Sequence, residues 1–286
     1  MLGKSMRFLK GFALVALLVA TGHINGFIGS ALANPVDGGY TLQPADTPVM
    51  EDIHIFHNDI LMPIITIIVI FVAVLMAIVA IRFNRRANPT PSKTSHNTLL
   101  EVAWTVIPVM ILVAIAIPSF RLLYKEVVIP KSDMTVKVIG HQWNWSYEYP
   151  DQGIEILSLM KEDSELKPGE PRLFTADAPM VVPVNTTVRV IVTSSDVIHS
   201  FAVPSFGVKI DAIPGRLNET WFRAEKTGMF YGQCSELCGR NHAFMPINIK
   251  VVSKGDYQAW VKEQTASADT DAKVKVAAAT AENAVR

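Results

Sequence analysis

The sequence predicts a membrane-anchored, exported protein: an N-terminal two-helix transmembrane hairpin followed by an all-β domain, a small antiparallel sandwich or barrel. Three observations predict it. Half of the 286 residues are hydrophobic and the mean hydropathy is +0.28, too apolar for an ordinary soluble protein. Two uncharged runs long enough to cross a bilayer flank a basic cluster. Beyond residue 124 the pattern changes to short, β-branched, often alternating runs separated by Pro, Gly and Asn. With 26 basic and 26 acidic residues the formal net charge is zero, so no global electrostatic footprint points to nucleic acid.

In chain order, Lys4, Arg7 and Lys10 precede the apolar run GFALVALLVA, and Ala31, Leu32 and Ala33 offer a small-residue cleavage site before Asn34. This reads as a signal peptide over residues 1–33. A retained anchor helix is the competing reading, but the run is short and is broken by Gly22, His23, Asn25 and Gly26. A short exported segment, residues 34–54, follows. The hairpin occupies residues 55–124, with spans at about 61–81 and 102–122. The first, LMPIITIIVIFVAVLMAIVAI, carries no charge, and its Pro63 sits where a helix start tolerates it. Pro108 and Pro118 predict bends in the second. Between the spans, Arg82, Arg85, Arg86 and Lys93 place the connection in the cytoplasm by the positive-inside rule, so both flanking segments are exported. TLLE at 98–101 reads as a capping box, Thr98 as N-cap and Glu101 at N3.

Residues 125–264 form the β domain: TVKVIG, TTVRVIVTS, FAVPSFGVKIDAI, ETWFRA and INIKVVS are its clearest strands. DYQAWVKEQ is the exception, a short helix, and the Ala-, Asp- and Lys-rich tail over 265–286 has little to bury and is expected to be flexible. HQWNWSYEY sets Trp143, Trp145, Tyr147 and Tyr149 at alternate positions, which on a strand puts all four on one face.

The loop GQCSELCGRNHAFMP concentrates the chemistry, because it holds the only two cysteines, Cys234 and Cys238, with His242 and Met245 close behind. In an exported domain paired cysteines ordinarily become a disulfide. Here the neighbours are soft or borderline metal ligands. Cys, His and Met together suit copper, whereas zinc would not select a methionine. The loop supplies one imidazole, and His199 in VIHSFAVPS is the best second. Two thiolates can bridge two coppers, each with one imidazole and one weak ligand: His199 and His242 as imidazoles, Met245 and a backbone carbonyl of the Cys-to-Cys turn as weak ligands. No position stays open for substrate, which suits electron transfer. No CxxCH motif is present for covalent haem, so an electron donor must be separate or held by another subunit.

These motifs, HQWNWSYEY, DVIHSFAVPSFGVKIDAIPGR and YGQCSELCGRNHAFMPI, make the chain resemble subunit II of the haem-copper cytochrome c oxidases of bacteria and mitochondria, and the bacterial aa3 type in particular, from about Ile55 to Gln264. The resemblance implies a cupredoxin-like Greek-key barrel carrying a dinuclear copper centre, CuA. Its ligands would be His199, Cys234, the Glu236 carbonyl, Cys238, His242 and Met245. The Glu236 side chain would bind magnesium shared with subunit I. Cytochrome c would deliver electrons at Trp143, and haem in subunit I would receive them for oxygen reduction and proton translocation. Many relatives have Tyr where this chain has Asn144.

Residues 141–180 hold eight acids against three bases, complementary to a basic partner, and the resemblance puts the docking carboxylates at Glu148, Asp177 and Asp196. It also sets Glu101 at the cytoplasmic mouth of a proton pathway, compatible with its capping role. The implied setting is the bacterial inner membrane, with the β domain periplasmic and other oxidase subunits and lipid as partners. The alternatives are a nitrous oxide reductase, which joins such a loop to a large propeller for which there is no room here, and a non-enzymatic protein, either a copper carrier or a scaffold like the related subunit of quinol oxidases, against which the retention of all six ligand positions argues.

Overall fold

The computed structural model describes residues 38–267. The expected signal peptide and the tail beyond residue 267 lie outside the described residues. Helix α1, Pro48–Ile55, starts on Thr47, whose hydroxyl accepts from the Met50 amide at 3.1 Å. Proline at the first helical position loses no hydrogen bond there. A wide π turn, Phe56–Leu61, leads without a break into α2, Met62–Arg82. The helix thus begins ahead of the apolar run, inside the segment expected to precede the hairpin. Helix α3 spans Thr98–Val127 and runs through both Pro108 and Pro118. Its cap is Asn97, whose side-chain oxygen accepts from the Leu100 amide at 3.2 Å, one residue earlier than the expected Thr98. Both long helices expose apolar side chains all round, such as Met76 and Leu112. A hydrophobic helix with no buried face belongs in lipid or against other chains, where its backbone is satisfied internally.

The β domain is two five-stranded sheets. One contains β1 (Met134–His141), β2 (Asn144–Tyr149), β3 (Ile154–Ser158), β5 (Val188–Ser194) and β8 (Asn218–Phe222), in the order β3-β2-β1-β5-β8. The other contains β4 (Met180–Pro183), β6 (His199–Val203), β7 (Val208–Ala212), β9 (Gly228–Cys234) and β10 (Pro246–Val252), in the order β4-β10-β9-β6-β7. Most neighbours are antiparallel, but β1 with β5 and β4 with β10 are parallel, which short alternating strands do not reveal. The arrangement is cupredoxin-like. Val136, Val138, Val188, Val190 and Val192 alternate inward with no exposure and meet Phe201, Ile247 and Ile249 of the facing sheet. Each such side chain contributes about 1.5–3 kcal/mol by leaving water. Helix α4, residues 254–267, packs Trp260 against Tyr149, ring centres 5.2 Å apart and planes tilted by 59°, and closes one end of the core.

Trp145, Tyr147 and Tyr149 share the inward face of β2, as alternation predicts. Trp143 does not join them. The register pairs His141 with Asn144, so Gln142 and Trp143 form the turn between β1 and β2 and the Trp143 ring stands at the sheet's end.

The membrane part is gripped by the β domain. Val49 and Met50 of α1 are buried, Thr47 donates to the Phe206 carbonyl at 2.7 Å, and Trp221 Nε1 donates to the Lys125 carbonyl at 3.1 Å. Gly207 makes this approach possible. Its φ of +68° favours glycine, and a Cβ there would meet Ile53 at 2.7 Å.

Candidate metal centre

Strand ends bring the candidate ligands together. His199 opens β6 and Cys234 closes β9, and antiparallel pairing of these strands puts both at one end of the sheet. The loop then returns Cys238 and His242, the latter opening a short 3-10 turn, His242–Phe244, and Met245 leads into β10. The two sulfurs are 3.8 Å apart, and both cysteines are free, nowhere near the ~2.05 Å of a disulfide bond. Cys234 Sγ lies 3.9 Å from His199 Nδ1 and 3.3 Å from the Glu236 carbonyl oxygen. Cys238 Sγ lies 3.6 Å from His242 Nδ1 and 3.5 Å from Met245 Sδ. Each sulfur therefore has one imidazole and one weak donor beside it. Donors bound at about 2.0–2.3 Å to one four-coordinate metal stand roughly 3.3–3.8 Å apart, so these spacings suit ligands converging on metal.

The site is dry: His199 and Met245 have no exposure, and Cys234 and Cys238 are 5% and 4% exposed. Burial pushes both thiols up, but hydrogen bonding with His199 and nearby backbone outweighs it at Cys234, which falls to about 7. At Cys238 burial and then the neighbouring Cys234 charge act together and lift it to about 12. Two adjacent thiolates in so dry a place need a cation between them. Soft thiolate and thioether beside imidazole make copper the fitting one.

The next shell holds the imidazole still. His199 Nε2 lies 2.9 Å from Asp196 Oδ1, which assigns the proton to Nε2 and turns the Nδ1 lone pair toward the sulfurs. Asp196 also accepts from the amides of Gln142 at 2.7 Å and Val197 at 2.6 Å. Burial opposes its charge, yet the bonds from His199, Val197 and Gln142 hold its carboxyl below the usual range. The His199 ring lies against β1 because residue 140 is glycine; a Cβ there would come within 2.9 Å of it. Trp145 meets the ring edge-on at 5.9 Å and donates from Nε1 to the Met245 carbonyl at 3.2 Å.

The sequence profile described as "Cytochrome C oxidase subunit II, periplasmic domain" matches residues 134–252, and that of the transmembrane domain matches residues 35–122. A probable cytochrome c oxidase subunit 2 of Rickettsia felis is 53% identical over 247 residues, covering 86% of this chain and 78% of that one. The chain belongs to the cytochrome c oxidase subunit II family. Cytochrome c oxidase subunit 2 of Cereibacter sphaeroides is 46% identical over 250 residues, 81% of this chain and 82% of that one. Among solved structures, the periplasmic domain of subunit II of cytochrome oxidase of Bradyrhizobium japonicum is 59% identical and covers 49% of this chain and 99% of that one, with a TM-score of 0.46. As a subunit II, the chain is part of an oxidoreductase, a haem-copper oxidase. It works with other oxidase subunits, and its β domain is periplasmic.

The remaining residues singled out in this subunit II are dispersed. Trp143 Nε1 and Gln142 Nε2 both donate to the Cys238 carbonyl, at 3.3 and 2.9 Å. Arg240 lies over the Trp143 ring, 5.9 Å from its centre. Gly239, at φ +124°, leaves room for that ring, which a Cβ would approach at 3.0 Å. Gln142, Gly239 and Arg240 escaped sequence reasoning, although a glycine directly after a ligand cysteine was a usable signal. Glu148 pairs with Lys137 across β1 and β2 at 3.0 Å. Asp177 Oδ1 accepts from the Leu159 and Ala178 amides at 2.8 and 2.7 Å. Among the described residues no contact joins these two acids to Asp196. The Glu236 carbonyl faces the Cys234 sulfur while its side chain is exposed. Glu101 lies in the first turn of α3, at the opposite end of that helix from the β domain.

Proposed function

We propose that this chain accepts electrons from cytochrome c at a dinuclear CuA centre and passes them to haem in subunit I, where oxygen is reduced to water with proton translocation. The observation that carries this reading is the paired ligand set, in which each sulfur has an imidazole and a weak donor at 3.3–3.9 Å. His199, Cys234, the Glu236 carbonyl, Cys238, His242 and Met245 would hold the two coppers, which supply a redox couple shared over two metals. The chain does the rest. Buried strands fix the ligands so that little moves on reduction, and full ligation leaves no open position where substrate could bind. Trp143 stands at the edge of this site, and its indole N–H reaches the Cys238 carbonyl, so hydrogen and covalent bonds lead from the rim to a thiolate.

Glu148, Asp177 and Asp196 add negative charge that would steer a basic cytochrome c. One experiment separates steering from transfer: flash photolysis of the whole oxidase with a photoactive cytochrome c. Trp143→Phe should leave binding intact and slow the electron step, whereas Glu148→Gln with Asp177→Asn should lower the second-order rate and flatten its salt dependence. Normal copper reduction in Trp143→Phe would remove the role given to Trp143.

Three further assignments belong to the same reading. The Glu236 side chain binds magnesium at the junction with subunit I, Glu101 marks the mouth of a proton pathway, and residues 1–33 are a signal peptide for the bacterial inner membrane. Metal analysis of Glu236→Ala, proton uptake in Glu101→Gln and N-terminal sequencing of the mature chain check them. Each falls if the variant matches the parent, or if the mature chain keeps residues 1–33.

A further inference from the structure

A groove of about 450 Å3 opens between α1 with its π turn and the outer end of α3, within the usual range of small-ligand sites. Ile55, Phe56 and Leu122 make an apolar wall, and Asp52, Arg121 and Lys125 line the rest. Its depth in the membrane follows from two aromatic residues. Trp104 and Tyr124 are both exposed on α3, and at ~1.5 Å per residue they stand about 30 Å apart. That is the thickness of a bilayer's hydrocarbon core, at whose two faces such rings collect. Arg121 and Lys125 therefore bracket the outer boundary, where acyl chains give way to headgroups.

The charges do not cancel. Lys125 is ion-paired with Asp52 and donates to the Pro48 carbonyl at 3.1 Å. Arg121 is exposed and has no ion-pair partner among the described residues. One uncompensated cation thus sits beside an apolar cleft, at a depth where a bare charge is costly and a long basic side chain reaches toward phosphate.

We propose that this groove binds one phospholipid of the outer leaflet. Its phosphodiester lies on the Arg121 guanidinium, within reach of the Lys125 ammonium, and the first part of an acyl chain runs along Ile55, Phe56 and Leu122. A phosphodiester carries one negative charge, which balances the site, and its planar fork partner is an arginine. A transmembrane helix from another subunit would have to bring an acid to the same depth to do as well.

The test uses the whole oxidase complex, purified in mild detergent with its native lipid, with phospholipid counted by phosphorus analysis and by native mass spectrometry. Arg121→Gln should retain one phospholipid fewer than the parent, Arg121→Lys should keep it, and oxygen consumption should stay the same in both. Leu122→Trp, which fills the apolar wall and leaves the charges alone, should also lose it, and added phosphatidylglycerol should restore the count in the parent after delipidation but not in Arg121→Gln. An unchanged lipid count in Arg121→Gln and Leu122→Trp would overturn the proposal. So would loss of a protein subunit in place of the lipid, since protein would then be filling the groove.

Discussion

Asp196 ties the His199 imidazole to the Gln142 and Val197 amides, so one carboxylate orients a candidate metal ligand and anchors the turn that carries Trp143. Sequence reasoning gave it a docking role alone, because a carboxylate three residues before a ligand histidine looks like surface charge until the strand start folds it back. The tendency of metal-bound histidines to bond a carboxylate was the signal that could have found it. Asp196→Asn keeps the shape and removes the charge. The expected outcome is a shifted copper spectrum and copper affinity lower by roughly 10–100-fold, the usual cost of losing such a partner. A variant with an unchanged copper spectrum and affinity, slowed only in its encounter with cytochrome c, would return Asp196 to docking.

At the scale of elements, the transmembrane spans were legible because continuous apolarity is a local property. Their boundaries were not, because Asn97 and Thr98 are both good caps and the choice rests on which side chain meets the Leu100 amide. The aromatic alternation through Trp143 failed for a related reason: a two-residue turn leaves the odd-even pattern in phase. The segment before α1 gives a pH prediction. Asp46 is 4% exposed, neither carboxylate oxygen has a hydrogen-bond partner among the described residues, and the Lys226 ammonium is 3.7 Å away. Burial raises its pKa from 3.8 to about 6, with Lys226 only partly offsetting it.

A raised carboxyl pKa means that the folded state holds the proton more tightly than the unfolded one. Stability from this group is therefore present below about pH 4 and is lost as pH rises through 6, a cost of about 3 kcal/mol at neutral pH. Asp46→Asn should raise the thermal midpoint of the detergent-solubilised complex, and by more at pH 8 than at pH 5. An equal change at both values would contradict the assignment.

Across the whole molecule, the two ends of the membrane part, α1 and the last turn of α3, are both gripped by the β domain, through Thr47, Met50 and Trp221. The ligand loop was readable because four of its donors lie within twelve residues of sequence and their chemistry is distinctive. The parallel pairing of β1 with β5, the contact of Gly140 with His199 and the α1 docking join residues far apart in the chain, and no local pattern encodes them. The central claim is that two coppers share one electron between Cys234 and Cys238. Copper analysis with electron paramagnetic resonance of the whole purified complex tests it most directly. The account predicts two copper atoms assignable to this chain and hyperfine structure from one unpaired electron spread over two copper nuclei, lost in Cys238→Ser. A single-nucleus signal, or one that survives in Cys238→Ser, would contradict it.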